Sequence, residues 1–529
     1  MKKEIRVALV IDELVVSSWK YKLVKRILDE KIANVSCAIV LLKELVSEKI
    51  KRSKIQDFHI NFDKKYYKPL PDAFEDKNLK DLIPEQNNRI LDGFEDRLKK
   101  DNLDLLIWLS DKTPIDLFYT NLKYGILSFA HGDDDTRFSH FGYEEFMEMK
   151  GVITSALLLK KNVNDSGKII SQTWSTMPSL SLSRSRNEHA WKLHSFIPRA
   201  LNNFLKEGET FFSNKPQYLK KENLSKKKSL SEISALINLS NHFCRFVYNF
   251  IRKKFYREQW LLLFKNETNP STSVDDFKII SPPKDRFWAD PILVQRENKN
   301  YLFFEELPFS TNRGFLSVVE INENGFSGPS APILEKPYHL SYPFIFELKD
   351  TYYMIPESNE NKNIQLYECT KFPNEWKHKM DLMTDIVAVD TTLFYHNEKW
   401  WMFTVISECR GIGKNDELFL FYADTPLTKD WKSHPQNPII SDVRSARPGG
   451  SIYIQDGKII RPSQDCSKKY GYGINLNEIE ILTETAYREK RIQHIAPTDI
   501  DKNIRRAHSY AHQTGVSVID GLIQRSKYF

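Results

Sequence analysis

A chain of 529 residues exceeds what one hydrophobic core organises, so two or three domains are expected. Its 41% hydrophobic and 28% charged content is that of a globular protein and excludes a disordered one. The net charge of +7 is uneven: residues 215–257 hold eleven Lys/Arg against two acidic residues, so the remainder sums to −2. The basic character belongs to one segment and not to a nucleic-acid-binding face, so no nucleic-acid partner is expected.

The opening MKKEIRVALVIDELVV starts basic and turns apolar, but the run Val7–Ile11 is five residues long and stops at Asp12–Glu13. A signal peptide needs an apolar core of about 7–15 residues, so this run reads as a buried first strand. No stretch approaches the roughly 20 apolar residues of a membrane span. Cys37, Cys244, Cys369, Cys409 and Cys466 are scattered without a CxxC pair, which fits a reducing compartment and argues against a disulfide framework or a zinc site. A soluble, cytoplasmic protein is expected.

Through residues 1–205, apolar strands at 5–11, 36–42, 103–109 and 151–159 alternate with helical spacing such as Lys20–Asn34. This pattern predicts an α/β domain with a partly parallel sheet. Residues 206–256 read as a basic linker, Lys220–Lys228 above all, followed by an amphipathic helix. Leu230, Ile233, Ile237, Phe243, Phe246, Val247, Phe250 and Ile251 share its apolar face. Such a helix packs between two domains or lies on an anionic membrane surface, which makes 215–257 a candidate peripheral contact with an inner membrane.

From Trp260 a repeat of short strands and turns takes over. ADPILVQRENKNYLFFEEL, SYPFIFELKDTYYMIPES, VDTTLFYHNEKWWMFTVI, RPGGSIYIQDGKIIRPSQD and HSYAHQTGVSVIDGLI open successive units near 290, 342, 390, 449 and 509. Spacings of roughly 50–60 residues are those of four-stranded blades. Five openings predict a five-bladed β-propeller over 257–529, with QWLLLFK (259–265) as the strand that closes the ring.

Blade-opening residues of a propeller face a shared channel. Asp290 and Asp390 therefore look across one hollow, joined by Glu305 and Glu306 from the end of blade one's second strand and Glu357 from the equivalent strand of blade two. Paired carboxylates across a concave site suit glycosidic-bond chemistry, one stabilising or attacking the anomeric carbon while the other moves a proton. The alternative is that the acids cap turns at the blade starts. Arg286, Trp288, Tyr342, Arg447, His508 and His512 are the candidate substrate-binding residues; Arg447 suits a carboxylate or phosphate on the sugar. His508 and His512 do not make a complete ligand set, so no metal is expected.

KDRFWADPILV with YLFFEE, then SYPFIF with YYMIPES and VDTTLF with WWMFT, resembles the propeller domain of plant glucosamine inositolphosphorylceramide transferases. That domain is similar in turn to the propellers of arabinanases, levansucrases and invertases. The resemblance implies three acidic residues from the first three blades. Asp290 takes the first place, Tyr342–Pro343 stands where an Asp is usual, and Asp390 lies at the blade-three opening instead of the proton-donor position. These departures favour transfer or binding over hydrolysis.

LKYGILSFAHGD (122–133) and GVITSALLLKKNVNDSGKII (151–170) resemble the formyltransferase family, which implies a Rossmann-like N-terminal domain and a folate or nucleotide as its ligand. Asp165 matches that family's catalytic Asp, Ser128 replaces its Asn, and His131 is displaced by one residue, the pattern of a degenerate binding or scaffold domain. The aspartates of HGDDDTRFSH (131–140) are a solvated loop or a metal site. Three readings follow: a surface-glycan or glycolipid enzyme acting on a glycan or nucleotide sugar through the propeller, a formyl or acyl transferase acting on an amino-sugar nucleotide, or a glycan-binding protein.

Overall fold

A computed structural model describes residues 5–40, 54–83, 88–90, 102–111, 119, 122–132, 141–162, 164–177, 180–213, 215–217, 232–267, 276–513 and 515–528. The aspartates Asp133, Asp134 and Asp135 and the linker lysines of 218–231 fall outside them. Two units emerge, Met1–Phe246 with Cys409–Gly413, and Val247–Glu408 with Lys414–Phe529.

The first unit carries β1 (Arg6–Ile11), β2 (Val15–Ser17), β3 (Asn34–Val40), β4 (Asp76–Asn78), β5 (Asn88–Ile90), β6 (Leu105–Trp108), β7 (Gly125–His131), β8 (Val152–Lys160) and β9 (Lys168–Thr176). Seven of these form one sheet in the order β5-β3-β1-β6-β7-β8-β9, while β2 and β4 pair separately. The large sheet is parallel as far as β7 and antiparallel beyond it. Val7, Leu9 and Ile11 enter one apolar cluster, and Ala8 and Val10 another. Burial on both faces is why β1 is apolar without alternation. Helix Ser18–Asp29 buries Trp19, Leu23, Val24 and Ile27, a one-sided helical spacing. It stops five residues before the predicted Asn34, because Asn34 already belongs to β3.

The second unit is the five-bladed propeller. Blade one starts with Arg286–Arg296 and Lys299–Pro308, blade two with Ser341–Leu348 and Thr351–Glu357, and blade three with Ala388–His396 and Lys399–Ile406. Blade four starts with Tyr453–Gln455 and Lys458–Asp465. Blade five takes its inner strands, Tyr510–Gln513 and Gly515–Ser526, from one end of the unit and its outer strands, Tyr256–Glu267 and Lys278–Ile280, from the other. Pairing from Tyr256 with Ser526 to Glu267 with Gly515 closes the ring and contains the predicted closing strand.

Apolar clusters fill each inter-blade space. Ile292 shares a cluster with Ile345, Phe344 with Leu393, Trp401 with Ile479, and Leu476 with Ile519. Leu262, Phe264 and Val518 of blade five complete the circuit against Trp288 and Phe304 of blade one.

Helix Glu232–Phe255 ends in Arg252, Lys253 and Lys254 and runs directly into the closing strand. Ile233, Leu236, Ile237, Phe243, Phe250 and Ile251 are exposed along it. Among the described residues, no helix is long and apolar enough to cross a membrane.

Candidate functional site

The first three blades share one irregularity. Register slips between Ala289 and Ile292, between Ser341 and Phe344, and between Val389 and Thr392, so two residues oppose one. The first residue of each bulge has a left-handed backbone: Asp290 at φ +53°, Tyr342 at +44° and Asp390 at +51°. Such bulges re-aim side chains, and a non-glycine residue held at positive φ costs about 1–3 kcal/mol unless its surroundings fix it. In blade four Gly450 opens the channel at φ +138°; a Cβ there would lie 2.0 Å from the Tyr510 carbonyl oxygen, so only glycine fits.

The surroundings do fix these residues. Asp390, 1% exposed, accepts Arg447 Nε at 2.6 Å and Nη2 at 3.2 Å, and Gln464 Nε2 at 2.8 Å. Arg447 Nη2 also reaches Glu357 Oε2 at 3.3 Å, and Nη1 reaches Asn415 Oδ1 at 3.0 Å. Blades two, three and four thus meet on one guanidinium. Burial pushes the Asp390 carboxyl up to about 7, against the pull of Arg447, and the neighbouring Glu357 adds to the rise. Tyr470, 36% exposed, lays its ring 4.8 Å from the Arg447 guanidinium.

Asp290 belongs to a second group on the same axis. His508 places Nδ1 2.6 Å from Asp520 Oδ2 and Nε2 3.3 Å from Asp290 Oδ1, with its ring stacked 4.2 Å from Trp260. Ser509 Oγ donates to Asp290 at 3.1 Å and the Tyr342 N–H at 3.3 Å. Burial opposes a charge on His508, but Asp520 and Asp290 outweigh it and push the imidazole up to about 9. Burial, with Glu305, Asp390 and Asp520, pushes Asp290 up to about 7 against His508. Ligand atoms of Asp290, His508 and Asp520 lie within 4.8 Å of one another, a gathering for which the bridging imidazole accounts.

Other predicted residues sit elsewhere. Tyr342 is 0% exposed and acts as a staple: its Oη is 2.8 Å from Thr392 Oγ1 and accepts the Gly450 N–H at 3.0 Å. It ties blades one to four together and has no face left for a substrate. Trp288 packs against Phe304 and Phe326, at 5.5 and 5.3 Å, as inter-blade core. Glu306 pairs with Arg286 at 2.7 Å and accepts Ser317 Oγ at 2.8 Å. Strand alternation turns it away from Glu305, whose charge acts on Asp290. His512 is bonded to Ser517 Oγ at 2.8 Å, not to Asp290.

The sequence reading missed Asp520, Gln464, Tyr470 and His339. His339 Nδ1 accepts the Gly314 N–H at 3.0 Å, so Nε2 carries the proton that faces Glu305 at 3.2 Å. Asp520 sits mid-strand in VSVIDGLIQ, and an acid in an otherwise apolar strand was the available signal.

In the first unit His131 is buried at the end of β7 beside Ser155 Oγ at 2.7 Å. Ser155 Oγ lies 2.8 Å from His189 Nε2, and His189 Nδ1 lies 2.9 Å from Ser175 Oγ. Lys192 Nζ donates to Ser175 at 3.0 Å. Burial lowers His131 to about 3 and takes His189 well below its ordinary value. Asp165 does not join this chain. It closes the β8–β9 turn, accepting the Lys161 N–H at 3.0 Å and the Gly167 N–H at 2.9 Å. Pairing of Ile126 with Lys160 and of His131 with Ser155 puts that turn at the opposite end of β7, about 16 Å along the strand. Ser128 is buried in mid-β7.

Fold and site together define a five-bladed propeller with an ionised, blade-spanning axis. Residues 267–517 match the family model described as glucosamine inositolphosphorylceramide transferase 1, N-terminal. A relative of that name from Oryza sativa subsp. japonica is 39% identical over 206 residues, 38% of this chain and 27% of its own length. One from Arabidopsis thaliana is 35% identical over 230 residues, 42% of this chain and 29% of its own. The match therefore spans less than a third of these relatives. Among solved structures, a thermostable family-43 glycoside hydrolase aligns at 15% identity and TM-score 0.32, over 45% of this chain and 91% of its own. The catalytic domain of a Coprinopsis cinerea α-L-arabinofuranosidase aligns at 11% and 0.36, over 47% and 95%. At these scores the fold rests on the sheet topology alone.

Proposed function

We propose that the propeller is the carbohydrate-active part of a protein of surface-glycan or glycolipid biosynthesis, working on a glycan or nucleotide sugar at its axis. The observation that carries this reading is a pair of buried acids, Asp290 and Asp390, turned by matching bulges towards one axis and held near neutrality. The transferase named in the relatives supports the same direction. Asp390 beside Glu357 can hold a proton for a leaving oxygen, Asp290 is the carboxylate that would face developing positive charge, and Tyr470 is the aromatic at the mouth. In the full chain, Asp290→Asn and Asp390→Asn are expected to abolish glycosyl transfer from a nucleotide sugar to a lipid-linked glycan while leaving circular dichroism unchanged. Full turnover in both variants would remove the reading.

One observation favours binding without chemistry: both Asp390 oxygens are already taken by Arg447 and Gln464. Saturable glycan binding with no turnover of any nucleotide sugar would select that alternative. For the first unit we propose a scaffold or binding role in place of formyl transfer, since the turn that holds Asp165 lies at the end of β7 opposite to His131. A thermal-shift screen against folates and nucleotides tests it. The exposed apolar stripe of helix Glu232–Phe255 and its terminal Arg252, Lys253 and Lys254 support peripheral attachment to an anionic inner-membrane surface, with the protein in the cytoplasm.

A further inference from the structure

On the propeller lies a cavity of about 840 Å³ whose lining, Arg252, Lys468, Lys469, Lys502, Arg505 and Arg506 among it, includes neither of the paired acids. The one carboxylate among its described lining residues, Glu258, is already engaged by Arg506 at 2.7 Å and Arg252 at 3.1 Å. Lys469, Lys502 and Arg505 make no ion pair among the described residues. Partial desolvation and then the charges of Arg506, Arg252 and Arg505 lower the Lys469 pKa, more than Glu258 raises it. Like charges gathered in a concavity repel and destabilise the folded state, unless an anion occupies the space.

The cavity adjoins the axis through one short segment. Tyr470 contacts the Arg447 guanidinium at 4.8 Å and the His508 ring at 5.3 Å, while its neighbours Lys469 and Tyr472 line the basic wall. Lys468 Nζ donates to the Tyr472 hydroxyl at 2.7 Å, holding the segment in place. Five of the six cations lie outside the basic stretch at 215–257, so the cavity is a charge feature separate from that stretch.

We propose that this cavity binds a phosphate-bearing ligand, the phosphate seated among Lys469, Lys502 and Arg505. Forked guanidinium donors and ammonium groups around one concavity are the chemistry that recognises phosphate oxygens. The phosphate comes from a soluble phosphoester or from an anionic lipid headgroup; both present the same oxygens. The site stands on its own charges and geometry, whether or not the axis performs transfer.

The experiment uses the full chain. Inorganic pyrophosphate is titrated by calorimetry, and phosphatidylcholine vesicles with and without phosphatidylinositol are tested by flotation. Lys469→Ala/Arg505→Ala is compared with wild type in both. Removing two charged donors is expected to weaken binding by roughly tenfold per residue. The ligand-free thermal midpoint should hold or rise, because repulsion is relieved. Pyrophosphate binding lost in the variant supports a soluble source; vesicle binding alone, lost in the variant, supports a headgroup. No binding of either probe, or undiminished binding of both probes by the variant, overturns the proposal. So does a fall in the variant's ligand-free midpoint, which would make these cations structural.

Discussion

The two units bury titratable chains of similar length with opposite results. In the first, His131, Ser155, His189, Ser175 and Lys192 are linked mainly through hydroxyls, and burial drives both imidazoles towards the neutral form. In the second, His508 is as deeply buried but lies between Asp520 and Asp290, and it gains a proton instead. Burial sets the cost of charge, and the partner decides whether the charge is kept. A hydroxyl-linked chain can serve as core framework, whereas an interior that retains ions has stored an electrostatic field that a ligand can use.

The strongest way to break this comparison is Arg447→Ala. It leaves Asp390 and Glu357 buried without their cation and is expected to cost about 3–5 kcal/mol in chemical denaturation. The loss should shrink on acidification, as Asp390 takes up its proton. The same substitution in an isolated surface pair would cost under about 1 kcal/mol, so a small effect would mean the axis holds no such field.

A pH series separates the units by sign. Asp290 and Asp390 have folded pKa values above their unfolded ones, so the folded propeller binds more protons and loses stability as pH rises from the ordinary carboxylate range to neutrality. His508 extends that loss from about 6.5 to about 9. His131 runs the other way: its folded pKa is depressed to about 3, so its contribution is present above about 6.5 and disappears as pH falls towards 3. Hydrogen-exchange protection factors, which remove the intrinsic slowing of amide exchange in acid, should at pH 5.5 relative to 7.5 rise in the blade strands and fall in β7 and β8. Parallel changes in both would refute the contrast.

Two smaller substitutions sharpen it. Tyr342→Phe keeps the ring but leaves the buried Gly450 N–H without its acceptor, for about 1–3 kcal/mol in urea unfolding. Asp165→Ala removes acceptors from an exposed turn and should cost about 0.5–1.5 kcal/mol, with the nuclear magnetic resonance shifts of His131 unchanged. A shift of His131 would reconnect the two ends of β7.

The sequence announced what repeats. Asp290, Tyr342 and Asp390 recur at blade spacing, and the structure puts all three on equivalent bulges. Arg447 and His508 were legible for the same reason. Glu306 was misplaced because adjacent residues of an unbulged strand face opposite ways, so Glu305 and Glu306 do not both look to the axis; Trp288 was misplaced because it precedes the bulge and faces the inter-blade core. Asp520 and Gln464 lie away from the blade openings, so periodicity gave them no mark. Asp165 matches a linear motif and His131 lies one residue out of it, yet antiparallel pairing of β7 with β8 carries the two apart, and linear spacing has no information about that turn.

The closing strand has a consequence during synthesis. Tyr256–Glu267 leaves the ribosome early and waits for Gly515–Ser526 while four blades are made between them. Until then its backbone edge and the side chains of Leu262 and Phe264 stand uncovered, a template for any compatible strand. On a crowded polysome the nearest compatible strand belongs to a sister chain, so swapped, intertwined pairs are the characteristic misassembly this design must outrun.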